Sequence, residues 1–456
     1  MISAAGAALI LAWTLFAFGA VYPWASRPAA AATLLLFLFA RPALFRDRTW
    51  MVDLSALLLL AYGWLQCLPL PGALVSALTP ASVTFHQSLN LSPFDPAAWR
   101  PLSLAPSASV EAMIDVTAAV LFYWTIRETS GHAGARILTR SLAVMGAIAV
   151  IFAVIQPVLF PNGKVYGFWS PIYAEAHPVG PIISRNHFAS WMVLATPITV
   201  GYLLTHAQNY WRGSTSLRTG VRILNDTRAL WVASCAMLMA TGVVFSQSRA
   251  GLIGLSAAAL AGLLGSGRHL GRRARGGLLA ASLLFGAAAW IIANPSEGVL
   301  RRLQPSISAS ANDEWGGRPE IWRATIAMAH KYRLTGVGLG AYEGAMPAYQ
   351  EQPVVILFNH AHSQYLQWWA EGGLIGALIV GALVLAGWRL FARRRRRDRG
   401  PLVHLREGAL AGIIGLAVQS VWETPLVTPA ILWLLAAAAA LATERPPTHD
   451  ADGSRP

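Results

Sequence analysis

Two histidines, His360 and His362, stand in the segment Asn359-His360-Ala361-His362-Ser363-Gln364-Tyr365-Leu366-Gln367. An imidazole exchanges its proton near neutral pH, so at an aqueous membrane edge it can accept a proton from a sugar hydroxyl. The residues alone leave a pair of helix-capping histidines as the other reading. A zinc site has less behind it, because His-x-His here has no nearby third ligand.

Three arginines raise a second chemical question. Arg185 in Ser184-Arg185-Asn186-His187, Arg249 in Ser246-Gln247-Ser248-Arg249 and Arg318 in Gly316-Gly317-Arg318-Pro319-Glu320 all fall at the outer ends of apolar runs. An unpaired arginine at the centre of a bilayer costs about 2.5 to 3.5 kcal/mol even on the lenient insertion scale. Each could reach the outer headgroups as a snorkelling anchor. Taken together they fit a shared anionic ligand, since guanidinium forks match phosphate oxygens and a lipid diphosphate would offset their cost.

Other motifs carry less. Gly336-Val337-Gly338-Leu339-Gly340 has neither dinucleotide nor P-loop spacing and reads as a turn. The run Arg393 to Arg397 reads as a topology anchor touching anionic lipid. Cys67 and Cys235 fall inside apolar runs and read as small buried residues.

These residues must be positioned by membrane helices. The 456-residue chain is 55% hydrophobic and 12% charged, against about 25% charged in an ordinary soluble protein. Spans of about 20 apolar residues are expected near 3–21, 28–44, 52–69, 108–126, 140–159, 188–206, 229–246, 250–266, 277–294, 373–391, 405–423 and 428–443. The stretch Ile2 to Ala20 lacks the basic leader of a cleaved signal and is expected to be a retained span.

Charge asymmetry gives an independent check on this arrangement. One side collects Arg41, Arg46 and Arg48; Arg127, Arg136 and Arg140; Arg212, Arg218, Arg222 and Arg228; Arg268, Arg272, Arg273 and Arg275; and Arg393 to Arg397. The short loops on the other side carry little more than Arg27, Arg100, Lys164, Arg185 and Arg249. Positive-inside topology then puts both termini, including the short tail 445–456, in the cytoplasm. It also accounts for most of the net charge of +14, which otherwise suggests nucleic-acid binding.

Loops 70–107, 160–187 and 295–372 face outward on this scheme. The first, rich in Pro and Ser, is expected to be an irregular connector or an interfacial cap, without chemistry. The third carries most of the outward ionisable residues and contains an amphipathic helix after Pro319, with Arg318, Arg323 and His330 on or beside its polar face. The expected fold is thus all-α: a polytopic membrane protein of about twelve transmembrane helices in one domain, with a large outward loop containing short helices.

The histidine segment continues into a pattern that resembles the O-antigen ligase and polymerase superfamily of bacterial envelope glycosyltransferases. The ligase branch is marked by His, then Asn, Ser or Gln, then nine residues, then Gly-x-x-Gly. Here His362-Ser363, the nine residues Gln364 to Gly372, and Gly373-Leu374-Ile375-Gly376 fit it in full. The resemblance implies transfer of a preassembled glycan from undecaprenyl diphosphate to an acceptor on the periplasmic side of the bacterial inner membrane. It implies an inverting reaction with no metal, nucleotide sugar or cofactor.

In that scheme His362 is the base, or orients the acceptor hydroxyl, while Arg185, Arg249 and Arg318 hold the diphosphate. His187, Glu320, Arg323 and His360 stand around them as supporting residues. Lipid A core as acceptor makes the chain an O-antigen ligase. A second lipid-linked unit makes it a polymerase of O-antigen or exopolysaccharide repeats, and a protein hydroxyl makes it a protein O-oligosaccharyltransferase. A transporter of lipid-linked sugar would place ionisable groups near the midplane in two repeated halves, and only Asp115 approaches that description.

Overall fold

The computed structural model describes residues 2–46, 49–89, 95, 97–129, 131–160, 164–170, 178–211, 226–266, 318–350, 358–397, 400 and 402–443. The expected ninth span 277–294, the start of the large loop through Gly317 and the tail 445–456 lie outside those residues.

In chain order the helices are α1 (Ile2–Phe16), α2 (Pro23–Ala40), α3 (Trp50–Cys67), α4 (Gly72–Leu78), α5 (Pro80–Leu89), α6 (Pro106–Thr129), α7 (His132–Leu159) and α8 (Arg185–Trp211). There follow α9 (Thr227–Phe245), α10 (Arg249–Ser266), α11 (Arg318–Lys331), α12 (Tyr342–Ala345), α13 (Gln364–Arg397), α14 (Val403–Gln419) and α15 (Pro429–Ala442). Leu70–Pro71 (β1) pairs antiparallel with Trp99–Arg100 (β2), the one ribbon among the described residues. Among the described residues six helices, α3, α6, α7, α8, α9 and α13, are long and apolar enough to cross a membrane, and α1, α10 and α15 are shorter apolar helices. The chain is an all-α polytopic membrane protein.

Several boundaries differ from the sequence expectation. The segment 70–107 is not merely irregular: it folds into the ribbon and the short helices α4 and α5. Helix α7 starts at His132 rather than near 140, because Arg136 and Arg140 are good helix formers and extend the apolar run. Helix α13 starts at Gln364, well before 373, and absorbs the last part of the expected loop. The double glycine that reads as a loop end is a kink inside it, with Gly373 at φ 59° and ψ −162°. Helix α14 stops at Gln419, so Glu423, expected to be the last residue of a span, lies in the following turn.

Close backbone contact between α8 and α14 sets the centre of the bundle. A Cβ at Gly412 would lie 2.6 Å from the Leu194 carbonyl oxygen, and one at Gly408 would collide with that of Pro197. Small residues at this seam let two helices approach where lipid provides no hydrophobic drive. One consequence is that the first turn of α8 and the turn after α14 meet at the same end. There Gln419 Nε2 donates to the Asn186 carbonyl oxygen at 3.3 Å.

A second, smaller core forms beside that end. Met328, Ala329 and Tyr332 of α11 pack with Val337, Ala341, Tyr342, Ala345 and Met346, and with Ala361 and Ala370 flanking the start of α13. Glycines in the turn 336–340 take positive φ, 69° at Gly336 and 108° at Gly338, as the turn reading requires. Val337 N donates to the Ala370 carbonyl at 2.9 Å and Gly338 N to that of Glu371 at 3.1 Å, so the turn is fastened to α13 just before its kink.

Candidate active site

The stretch 358–363 enters α13 through His362, which has φ +47°. A non-glycine residue in the left-handed region costs on the order of 1–3 kcal/mol and persists only where its surroundings hold it. Those surroundings are specific. Trp322 Nε1 of α11 donates to the Ala361 carbonyl at 3.0 Å, and Ala361 N donates to Gln367 Oε1 at 3.2 Å. On the other side, Gln364 N donates to the carbonyls of Ser420 and Glu423, both at 2.9 Å. Leu426 N donates back to Gln364 Oε1 at 3.0 Å. The histidine is therefore fixed between α11 and the turn after α14, with 38% of its side chain exposed.

Arg318, expected on a polar helix face, is instead buried at 6% exposure. A buried guanidinium needs a counter-charge, and Nη2 of Arg318 donates to Glu423 Oε1 at 2.7 Å. The same oxygen accepts from Asn186 Nδ2 at 2.8 Å, in the first turn of α8. The other oxygen, Oε2, lies 3.9 Å from His362 Nδ1, in ion-pair range but beyond hydrogen-bond contact. Burial opposes ionisation of Glu423, yet the imidazole of His362 and the charges of Arg318 and His187 outweigh it and hold its carboxyl below the usual range.

The neighbouring histidines complete the cluster. His187 Nδ1 shares a hydrogen bond with Thr428 Oγ1 at 2.7 Å. Burial first, and then the charges of His187 and His362, push the pKa of His360 down to about 3. That leaves His360 a neutral imidazole across the physiological range. Among the described residues no three His, Cys, Asp or Glu side chains are disposed to hold a metal ion.

The sequence-selected residues divide as follows. His187, Arg318, His360 and His362 come together. Arg185 stands directly before Asn186 at the start of α8. Arg249 begins α10, where Ser248 Oγ accepts from Gly251 N at 3.2 Å as a helix cap. A Cβ on Gly251 would lie 2.6 Å from that of Ala189, so the starts of α8 and α10 adjoin. Glu320 lies in the first turn of α11 and Arg323 is exposed on that helix, and neither forms an ion pair among the described residues. Of the motif glycines, Gly373 makes the kink and Gly376 faces Tyr62, 3.4 Å from its ring for an added Cβ.

Sequence reasoning missed Asn186 and Glu423. A lone acid in the short turn between the last two helices, close before Pro425 and Pro429, was the available signal. It was hidden by the apolar run that leads into it.

A helical membrane protein with histidines, arginines and a buried carboxylate gathered at one end of its bundle is suited to proton transfer beside an anionic group. A family model described as O-antigen ligase matches residues 234–381. The O-antigen ligase superfamily read from the histidine motif is thus the family of this segment, which runs from within α9 to within α13. It includes Arg249, Arg318 and His362; Arg185 and Glu423 fall outside it. No curated protein matches the chain.

Proposed function

We propose that the chain is a glycosyltransferase of the bacterial inner membrane that moves a preassembled glycan from undecaprenyl diphosphate to an acceptor hydroxyl at its periplasmic face. Lipid A core is the acceptor in this reading, which makes the reaction O-antigen ligation. The observation that carries it is His362: the motif histidine is held in a left-handed conformation, half-exposed, beside the buried Arg318–Glu423 pair.

His362 takes the proton of the acceptor hydroxyl as that oxygen bonds to the anomeric carbon. The bond from that carbon to the diphosphate oxygen breaks, and its electron pair leaves with undecaprenyl diphosphate. Attack from the face opposite the leaving group inverts the anomeric centre. Charge grows on the diphosphate in the transition state, where preorganised guanidinium groups of Arg185, Arg249 and Arg318 stabilise it without a metal. His187 and His360 stand beside this machinery, and Glu320 and Arg323 lie on the same helix as Arg318.

Polymerisation of lipid-linked repeat units is the second reading, favoured by Ser363 where the ligase pattern most often has Asn. Incubating the purified chain with an undecaprenyl-diphosphate glycan and either lipid A core or a second lipid-linked repeat separates them. Core-linked product supports the ligase, and lengthened lipid-linked chains support the polymerase. Absence of both products refutes glycan transfer.

A further inference from the structure

We infer that Glu423 is a positioning residue that makes the basicity of His362 respond to the donor: it holds Arg318 when the site is empty and turns its charge to His362 when a diphosphate engages Arg318. This rests on the function proposed above.

The geometry supplies both halves of the exchange. Glu423 Oε1 is occupied twice, by Arg318 Nη2 at 2.7 Å and by Asn186 Nδ2 at 2.8 Å. Oε2 faces His362 Nδ1 across 3.9 Å, too far to bond and near enough to close with a small side-chain shift. The carboxylate is only 2% exposed, so water does little to screen it. Its backbone carbonyl receives Gln364 N at 2.9 Å, which ties its turn to the segment carrying His362. Asn186, being neutral, keeps the carboxylate in place without cancelling its charge.

With Arg318 bound, Glu423 divides its charge between that guanidinium and the imidazole of His362. When a diphosphate competes for Arg318, more of the charge of Glu423 acts on His362 and favours its imidazolium form. Nδ1–H directed at Glu423 leaves Nε2 to accept the proton of the acceptor hydroxyl, and that proton passes to solvent after transfer. The charged and titratable groups facing this pair are Arg318 from α11, His187 from α8, and His360 from the 358–363 segment. Arg185 and Arg249 start the adjoining helices. Arg318 and His187 favour the anionic carboxylate, and among these groups Glu423 is the one whose charge can stabilise a protonated His362.

The test is the pH profile of glycan transfer by the full-length chain, for wild type, Glu423→Gln and Glu423→Asp. In the wild type the acid limb is expected to lie about one pH unit higher with saturating donor than with limiting donor. Glu423→Gln should abolish that difference and lower the maximal rate, and Glu423→Asp should restore most of the difference. A Glu423→Gln profile that keeps the donor-dependent shift while the rate drops assigns Glu423 a structural role and overturns the inference alone. A wild type that transfers no glycan to any acceptor overturns the proposed function and this inference with it.

Because Glu423→Gln removes a counter-charge from the buried Arg318, a measurement on the wild type backs it up. The pH dependence of carbethoxylation of His362 by diethyl pyrocarbonate, read by mass spectrometry, should move upward when undecaprenyl diphosphate is added. An unmoved midpoint overturns the coupling.

Discussion

The phenol of Tyr62 in α3 donates to the carbonyl oxygen of Gly372 at 2.8 Å, one residue before the kink in α13. It reaches the Thr335 carbonyl at the same distance. Beside it, Gln66 Nε2 donates to the Thr335 carbonyl at 2.7 Å and to that of Glu371 at 3.2 Å, while Gln66 Oε1 accepts from Leu339 N at 3.1 Å. A helix broken within a membrane protein frees backbone groups that lipid cannot satisfy, so the bundle itself must supply partners. Tyr62 and Gln66 do this, and thereby fix the segment that leads from His362 to the kink.

Removing either partner should loosen that segment. Tyr62→Phe removes the donor to the Gly372 carbonyl and Gln66→Leu the acceptor of Leu339 N–H, and each is expected to cost about 1–3 kcal/mol, the penalty for a buried polar group that loses its partner. Thermal unfolding in detergent should show a lower midpoint for both variants, with reduced glycan transfer. Unchanged midpoints would mean these groups find other partners.

Gly373 and Gly376 should respond differently to alanine. The conformation of Gly373 lies in a region open essentially to glycine alone, and an added Cβ would sit 2.5 Å from the backbone of Leu334. At Gly376 the nearest atom to an added Cβ is 3.4 Å away, an ordinary contact. Gly373→Ala should therefore abolish transfer in a membrane-inserted protein while Gly376→Ala retains most of it. Equal rates for the two would remove the kink from the account.

A buried pair far along the chain from the site provides a stability control. Asp53 is fully buried and accepts from Arg127, from Trp124 Nε1 at 2.9 Å and from Phe45 N at 2.9 Å. Asp53→Ala strands the Arg127 charge and should cost about 3–5 kcal/mol. The yield of folded protein should fall, with the transfer rate per folded molecule unchanged. A rate that falls per folded molecule would link this pair to catalysis.

How far the sequence carried the reading can be judged from particular residues. Apolar runs located the long helices because burial in lipid leaves a compositional mark. The full spacing from His362 to Gly376 lies within the segment that the O-antigen ligase family model matches. The expected span begins at Gly373, where the structure has a kink inside α13, since a glycine pair gives the same local signal for a loop end and for a kink. Arg318 was expected on a polar face because its counter-charge, Glu423, is distant in sequence and stood inside an apolar run. The Tyr62 and Gln66 contacts depend on a meeting of α3 with the 335–340 turn, and no local periodicity encodes that.

Replacing guanidinium by ammonium separates ligand-binding arginines from anchors. Arg249→Lys and Arg318→Lys keep the charge but lose the bidentate grip on phosphate oxygens. Each is expected to raise the KM for the lipid-linked donor and reduce transfer, as measured with purified protein. Lys variants with wild-type donor kinetics would make these arginines snorkelling anchors.

The most direct measurement is glycan transfer by His362→Ala, assayed beside the wild type with an undecaprenyl-diphosphate glycan and its acceptor. The account predicts normal insertion and expression with a rate lowered about 10²–10⁴-fold, as befits loss of a general base. Undiminished product from a stably inserted His362→Ala protein would contradict it.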